Sequence, residues 1–194
     1  MKPLIHQVMQ DGIELRQLCK DSLAGPIQDA ADVIVCCLQS GGKILACGNG
    51  GSAADAQHFA GELVNRFEIS RPGLAAIALT PDASVITSIA NDFSFDRVFS
   101  RQIEALGRPG DLLLAISTSG TSNNVMAAAD AAASVGMETI ALTGCDGGAL
   151  GQHGNVRVLI NIPHHSTPRI QEMHITCLHL LCSLIDLNMF GGKS

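Results

Sequence analysis

After residue 42 the chain alternates between apolar runs of strand length and helix-forming stretches, and this alternation most restricts how it can fold. The apolar runs lie at 43–47, 74–79, 111–116, 138–143 and 156–162, and helical stretches at 52–66, 82–91, 94–105, 122–135 and 167–189 separate or follow them. Continuous apolar strands interleaved with helices predict a parallel sheet covered on both faces. The expected class is therefore α/β, a three-layer sandwich around a five-stranded parallel sheet. Ligands of such sheets bind beyond the carboxyl ends of the strands, which directs attention to the loops at 48–52 and 117–122.

Two helices precede this alternation. Residues 3–20 place Leu4, Ile5, Val8, Met9, Leu15 and Cys19 at roughly helical spacing. Residues 24–40 carry Pro26 in the first turn and stop at Gly41-Gly42. The chain reads as one domain over 1–194, with a helical extension at 1–40 and an α/β core at 41–194. The sheet does not obviously cover both leading helices, so burial against another subunit is expected.

Bulk composition narrows the function. Apolar residues make up 46% and charged residues 15%, as in a compact globular chain, and the absence of Trp and Tyr requires an aliphatic core. A net charge of −6 argues against nucleic acid as a main partner. No apolar run approaches the ~18–20 residues of a membrane span, and the N-terminus lacks the basic-then-apolar order of a secretory signal. A cytoplasmic protein with no membrane partner is expected. The seven cysteines, with no C-x-x-C pair, fit buried, reduced packing residues.

Two loops carry the chemistry. Cys47-Gly48-Asn49-Gly50-Gly51-Ser52 joins a strand to a helix and would offer free backbone N–H groups to an anion. It superficially matches a dinucleotide turn. The acid expected ~20 residues on is missing, since the nearest one after the second strand is Asp82, and no P-loop Lys follows the glycines. Ser117-Thr118-Ser119-Gly120-Thr121-Ser122-Asn123 sets five hydroxyls before a helix. A helix cap needs one hydroxyl; five make a phosphate site built without Lys.

His58 and Glu62 are four residues apart and share a helix face. An arbitrary His/Glu pair at this spacing is a surface pair, but Phe59, Ala60, Leu63 and Val64 mark a largely buried helix. Gln171 and His179 are eight apart, two turns up a roughly common face. Either His also suits a satisfied core position. Together the four offer two imidazoles, a carboxylate and an amide oxygen, a set that suits Zn²⁺, although spacing alone does not bring the two helices together. His174 reads as structural, His164-His165 as solvated or near the pocket mouth. Arg66 and Arg169 flank the proposed site, as anion partners or in plain salt bridges. Asn91-Asp92 form an ordinary turn or lean over the pocket.

With these motifs in place the chain resembles a sugar isomerase (SIS) domain, and more closely the bacterial phosphoheptose isomerases. The resemblance spans essentially the whole chain. It rests on residues 47–52, His-Phe-Ala-Gly-Glu-Leu (58–63), Asn-Arg-Phe (65–67), Arg-Pro-Gly (71–73), Ala-Asn-Asp (90–92), Ser-Thr-Ser-Gly (117–120) and Arg-Ile-Gln-Glu-Met-His (169–174) with His179. It implies the SIS fold and conversion of sedoheptulose 7-phosphate to D-glycero-D-manno-heptose 7-phosphate, the first step toward the heptose of lipopolysaccharide core. By the same resemblance Asn49, Gly50, Gly51 and Ser52 line the sugar phosphate, Ser117, Thr118, Ser119 and Ser122 grip the phosphate, and Asn91 and Asp92 reach sugar hydroxyls. His58, Glu62, Gln171 and His179 would hold one zinc ion per subunit, with Glu62 and Gln171 also facing substrate. Homotetramers with sites at subunit boundaries are implied too.

The implied chemistry is an enediol proton transfer, with Glu62 and His179 as the acid/base pair, in either assignment. Relatives that bind the replication initiator protein without turnover are the alternative; they lack suitable groups at the positions of Glu62 and His179, and this chain has both. A sensor that binds sugar phosphate without turnover is a third reading. Pro168 departs from family members that carry Asp there.

Overall fold

The computed structural model describes residues 1–191; the last three residues of the expected 41–194 core lie outside them. Five strands, β1 (Ile44–Gly48), β2 (Ala76–Ala78), β3 (Leu112–Ser117), β4 (Glu138–Gly144) and β5 (Val156–Ile162), form one sheet. Its order is β2-β1-β3-β4-β5 and every pairing is parallel. The direction of winding switches between β1 and β3, whose carboxyl ends lead into the two loops singled out above. Every residue of β1 and β3 is buried, which explains why both read as uninterrupted apolar runs.

Eight helices flank the sheet among the described residues: α1 (Lys2–Ser22), α2 (Ala24–Gln39), α3 (Gly51–Val64), α4 (Ala83–Asp92), α5 (Ser100–Leu106), α6 (Asn123–Ser134), α7 (Gly148–Gly151) and α8 (Thr167–Phe190). One core joins Leu15, Ile27, Ile34, Phe59, Leu63, Met173, Leu178 and Leu181, from α1, α2, α3 and α8, to one sheet face. The other joins Phe99, Ile103, Val125, Ala128 and Leu150 to the opposite face. The three-layer α/β sandwich is as expected.

Local departures have local causes. The expected strand at 74–79 shortens to 76–78 because Leu74 N–H donates to the Leu63 carbonyl at the end of α3 (2.9 Å) instead of to a strand. The expected helix at 94–105 breaks into a 3₁₀ turn (Phe95–Arg97) and α5, so that Val98 and Phe99 turn into the core. Five of the seven cysteines are buried, as expected of packing residues, whereas Cys145 is half-buried and Cys36 exposed; all seven are free.

Helix α8 qualifies the reading that no apolar run approaches membrane-spanning length. Its 24 residues pass that test by length and mean hydropathy. Gln171, His174, His179 and Asp186 interrupt the apolar run, so it is not visible as a block. In the fold α8 packs its buried residues, from Ile170 to Ile185, into the core with α2 and α3. The first helix is the reverse case. Only Leu15 and Cys19 of α1 are buried, and Leu4, Ile5, Met9 and Ile13 stay exposed.

Candidate active site

The site begins at the carboxyl edge of the sheet, where α3 follows β1, and extends along two helices that run side by side. Where α3 begins, Gly51 lies so close to Gln171 that a Cβ would overlap its amide. Two turns further, His58 Nε2 stands 3.2 Å from His179 Nε2. At the end of α3, Arg71 bonds the carbonyls of Glu62 and Leu63 and pairs with Asp186 of α8. Partners advance together along both helices, so α3 and α8 are parallel, and the spacing of Gln171 and His179 matches that of Gly51 and His58.

His58 is the hub. Its Nε2 is also 3.2 Å from Glu62 Oε1. The His179 ring stacks on Phe67, with centroids 5.5 Å apart and an interplanar angle of 28°, which fixes the imidazole plane. Donors that share a tetrahedral zinc at bonds of ~2.0–2.1 Å lie about 3.3 Å from one another, close to both separations around His58. The two imidazoles and the carboxylate fit that ion, whereas the Gln171 amide lies two turns back, against the first turn of α3. The three His and Glu side chains form an open chain through His58, and among the described residues no closed cluster of three His, Cys, Asp or Glu is present.

One turn before His58, Asp55 holds a buried Oδ2 without a hydrogen-bond partner. Burial raises its pKa to about 6, against the attraction of His58. His174, fully buried, sends Nε2 to the Thr143 carbonyl at 2.9 Å and thereby joins α8 to β4. Burial lowers its pKa, the bond to Thr143 opposing.

The hydroxyl loop after β3 does not serve as a helix cap. Ser122 stands at the cap position of α6 without a capping bond and pairs with Ser117 Oγ at 3.1 Å instead. Ser119 Oγ accepts from Thr121 N–H and Thr121 Oγ1. The loop is braced by a glycine turn after β4. Gly120 has φ +64°, a Cβ on it would overlap the Gly147 carbonyl, and its own carbonyl receives Leu150 N–H at 2.8 Å. A second brace crosses the switch point: Asn49 and Asn124 exchange two amide hydrogen bonds of 2.8 Å.

The geometry thus joins His58, Glu62 and His179 through α3 and α8, with Gln171 two turns away at Gly51, and joins Asn49 to the hydroxyl loop through Asn124. A cavity of about 140 Å³ lies beside the glycine loop, lined by Gly48, Asn49, Gly50, Thr80, Ile86 and Phe95 among others. Asn91 and Asp92 are placed differently. They bond to one another at 2.9 Å, and Asp92 lines a separate cavity between α4 and α5 with Phe93 and Arg101. Arg169 turns away to the Val8 carbonyl of α1 and to Glu172, and Arg66 stays exposed. Larger cavities lie under α1 and at the far end of the sheet, away from these groups. Sequence reasoning missed Asn124, whose only signal was a second Asn directly after the hydroxyl loop, and Asp55, whose burial has no sequence signal.

Residues 9–144 match the SIS domain family. The chain belongs to this family, and within it to the phosphoheptose isomerases. A phosphoheptose isomerase from Laribacter hongkongensis is 54% identical over 183 residues, 94% of this chain and 93% of the relative. One from Halorhodospira halophila is 53% identical over 189 residues, 97% and 96% of the two chains. The solved structure of phosphoheptose isomerase GmhA from Neisseria gonorrhoeae superposes with a TM-score of 0.90 at 48% identity, covering 95% of this chain and 98% of that one. The isomerase relatives extend over nearly the whole chain, including both leading helices.

Proposed function

We propose that this SIS-domain chain converts sedoheptulose 7-phosphate to D-glycero-D-manno-heptose 7-phosphate, in the cytoplasm, at the start of heptose supply for lipopolysaccharide core. The observation that carries the reading is the chain of contacts from Glu62 through His58 to His179, in a chain that also carries a loop of five hydroxyls after β3. The relatives' shared name supports the same substrate class.

The hydroxyls of Ser117, Thr118, Ser119 and Ser122 bind the phosphate, and Gly50, Gly51, Ser52 and the backbone of Asn49 form the wall along the sugar. This grip is remote from the reacting carbons and orients them. Glu62 removes the C1 proton of the ketose and returns it to C2, and His179 moves protons between the two oxygens of the enediol. The Asn49 amide is committed to Asn124, so its role is to hold the two loops together. His58, Glu62, Gln171 and His179 would hold one Zn²⁺ per subunit, which polarises a carbonyl when bound.

The exposed apolar face of α1 supports assembly with further copies, as a homotetramer whose sites lie at subunit boundaries. Light scattering after size exclusion measures that mass directly; a monomer overturns the assembly.

Incubation of the purified protein with sedoheptulose 7-phosphate and zinc, followed by detection of the aldose, tests the activity. Steady product formation is expected. No product, together with binding of the replication initiator protein, would establish the non-catalytic alternative instead.

A further inference from the structure

Arg71 lies outside the residues assigned to substrate or metal, yet it is the most heavily bonded side chain near them. Its side chain is 1% exposed, and that of Asp186 is 5% exposed. The guanidinium donates from Nε to Asp186 Oδ1 at 2.6 Å, from Nη2 to the Glu62 carbonyl at 2.9 Å and from Nη1 to the Leu63 carbonyl at 2.8 Å. It also lies 5.9 Å from the Phe190 ring centroid. Two of these contacts go to α8 and two to the last turn of α3. Residue 62 is thus held by its backbone while its side chain faces His58. Asp186 follows His179 by seven residues, two turns along α8, and so continues the same helix face.

We infer that Arg71 is a positioning residue, a clamp that sets the distance between Glu62 and His179 by tying the carbonyl end of α3 to Asp186 of α8. Parallel helices α3 and α8 meet near Gly51–Gln171, at His58–His179 and through Arg71. The first contact is an amide packed on a glycine, and the second is the reactive pair itself. Only the third is a charged, bidentate-capable fork buried from water. Cationic donors also suit a helix C-terminus, where carbonyls are unpaired. Asp186 Oδ2 has no partner of its own, so the aspartate is held through a single oxygen, and the pair is poorly optimised for stability alone. A buried pair of this kind is weak in net energy but costly to break on one side, which suits a part that fixes geometry.

This inference rests on the proposed isomerase reading. Its test uses full-length Arg71→Lys and Asp186→Asn, with Asp111→Asn as a comparison. Asp111 pairs with Lys43 where β1 and β3 begin, outside the contact between α3 and α8, so its variant reports loss of an ion pair without loss of the clamp. For the two clamp variants kcat is expected to fall about 100-fold, the cost of a misplacement near 1 Å. KM for sedoheptulose 7-phosphate and inhibition by inorganic phosphate should stay near the wild-type values, because the hydroxyl loop is braced independently. Zinc affinity, measured by competition with a chromogenic chelator, should weaken with kcat. Asp111→Asn should lower the melting temperature and leave kcat and zinc affinity alone.

A double variant, Arg71→Met with Asp186→Leu, separates packing from positioning, because apolar replacement of a buried pair can restore stability. Recovered melting temperature with kcat still low supports the clamp, and it covers the case in which single variants fail to fold. Recovery of kcat along with stability overturns it, as do single variants with wild-type kcat and zinc affinity. A wild-type protein without turnover overturns the isomerase reading and leaves the zinc measurements to decide the clamp. With neither turnover nor zinc binding, the clamp falls together with that reading.

Discussion

Asn49 and Asn124 exchange two amide hydrogen bonds of 2.8 Å across the point where the winding of the sheet switches. One follows β1 and the other opens α6 after β3, so the pair fixes the glycine loop relative to the hydroxyl loop. Asn124 is buried, and removing its amide leaves the Asn49 amide without its partner. Asn124→Leu is expected to cost about 1–3 kcal/mol, read as a lower urea midpoint. It should also raise KM for the sugar phosphate more than it lowers kcat. Unchanged stability and KM would show that the loops hold their places without the pair.

Gly120 is the second element that shapes the phosphate loop. Its φ of +64° disfavours any L side chain, and a Cβ would overlap the Gly147 carbonyl. Gly110 also has a positive φ, +88°, but nothing lies within 4 Å of its Cβ position. Gly110→Ala therefore carries backbone strain alone, about 1–2 kcal/mol. Gly120→Ala should cost clearly more and weaken inhibition by inorganic phosphate. Thermal denaturation of both variants and a phosphate inhibition series check this.

Glu62 makes its side-chain contact to His58 and is only partly buried. Glu62→Gln should therefore keep the fold, while kcat falls by about 10²–10⁴, the contribution typical of a general base. Circular dichroism and steady-state rates decide it; an active Gln variant would remove Glu62 from the proton path.

His58 contacts two of the other three proposed ligands, His179 and Glu62. His58→Ala should reduce bound zinc after dialysis, as measured by elemental analysis. Wild-type occupancy in that variant would place the ion elsewhere.

His174 gives the fold an acid sensitivity with a defined sign. Burial holds its native pKa below the ordinary 6.5. As pH falls through 6.5 the unfolded chain takes up a proton that the native chain refuses, so the stability present above that pH is lost on acidification. His174→Gln keeps an N–H for the Thr143 carbonyl but cannot titrate. The difference in urea midpoint between wild type and variant should shift against wild type between pH 7.5 and pH 5.5. A constant difference would mean that His174 titrates alike in both states.

Much of the architecture was legible before any coordinates. Strands buried on both faces must be apolar throughout, and helices with one buried stripe must be periodic, so β1, β3, α2 and α6 follow from composition along the chain. The boundaries that failed were set by contacts remote in sequence. Leu74 left the expected strand for the end of α3, and Val98 and Phe99 bent the expected helix at 94–105 toward the core. The last helix was expected at 167–189 and runs from Thr167 to Phe190.

The site divides in the same way. Local sequence determined the glycine turn, the run of hydroxyls and the one-face spacing of His58 with Glu62, because each depends on residues a few positions apart. That Gln171 reaches Gly51, that His179 meets His58 at 3.2 Å, that Asn124 holds Asn49 and that Arg71 ties Glu62 to Asp186 were decided only by the tertiary structure. These pairs span roughly 75 to 120 residues of sequence, and no local pattern specifies them. They arise because two parallel helices pack on one face of a single sheet and two loops face one another at its carboxyl edge.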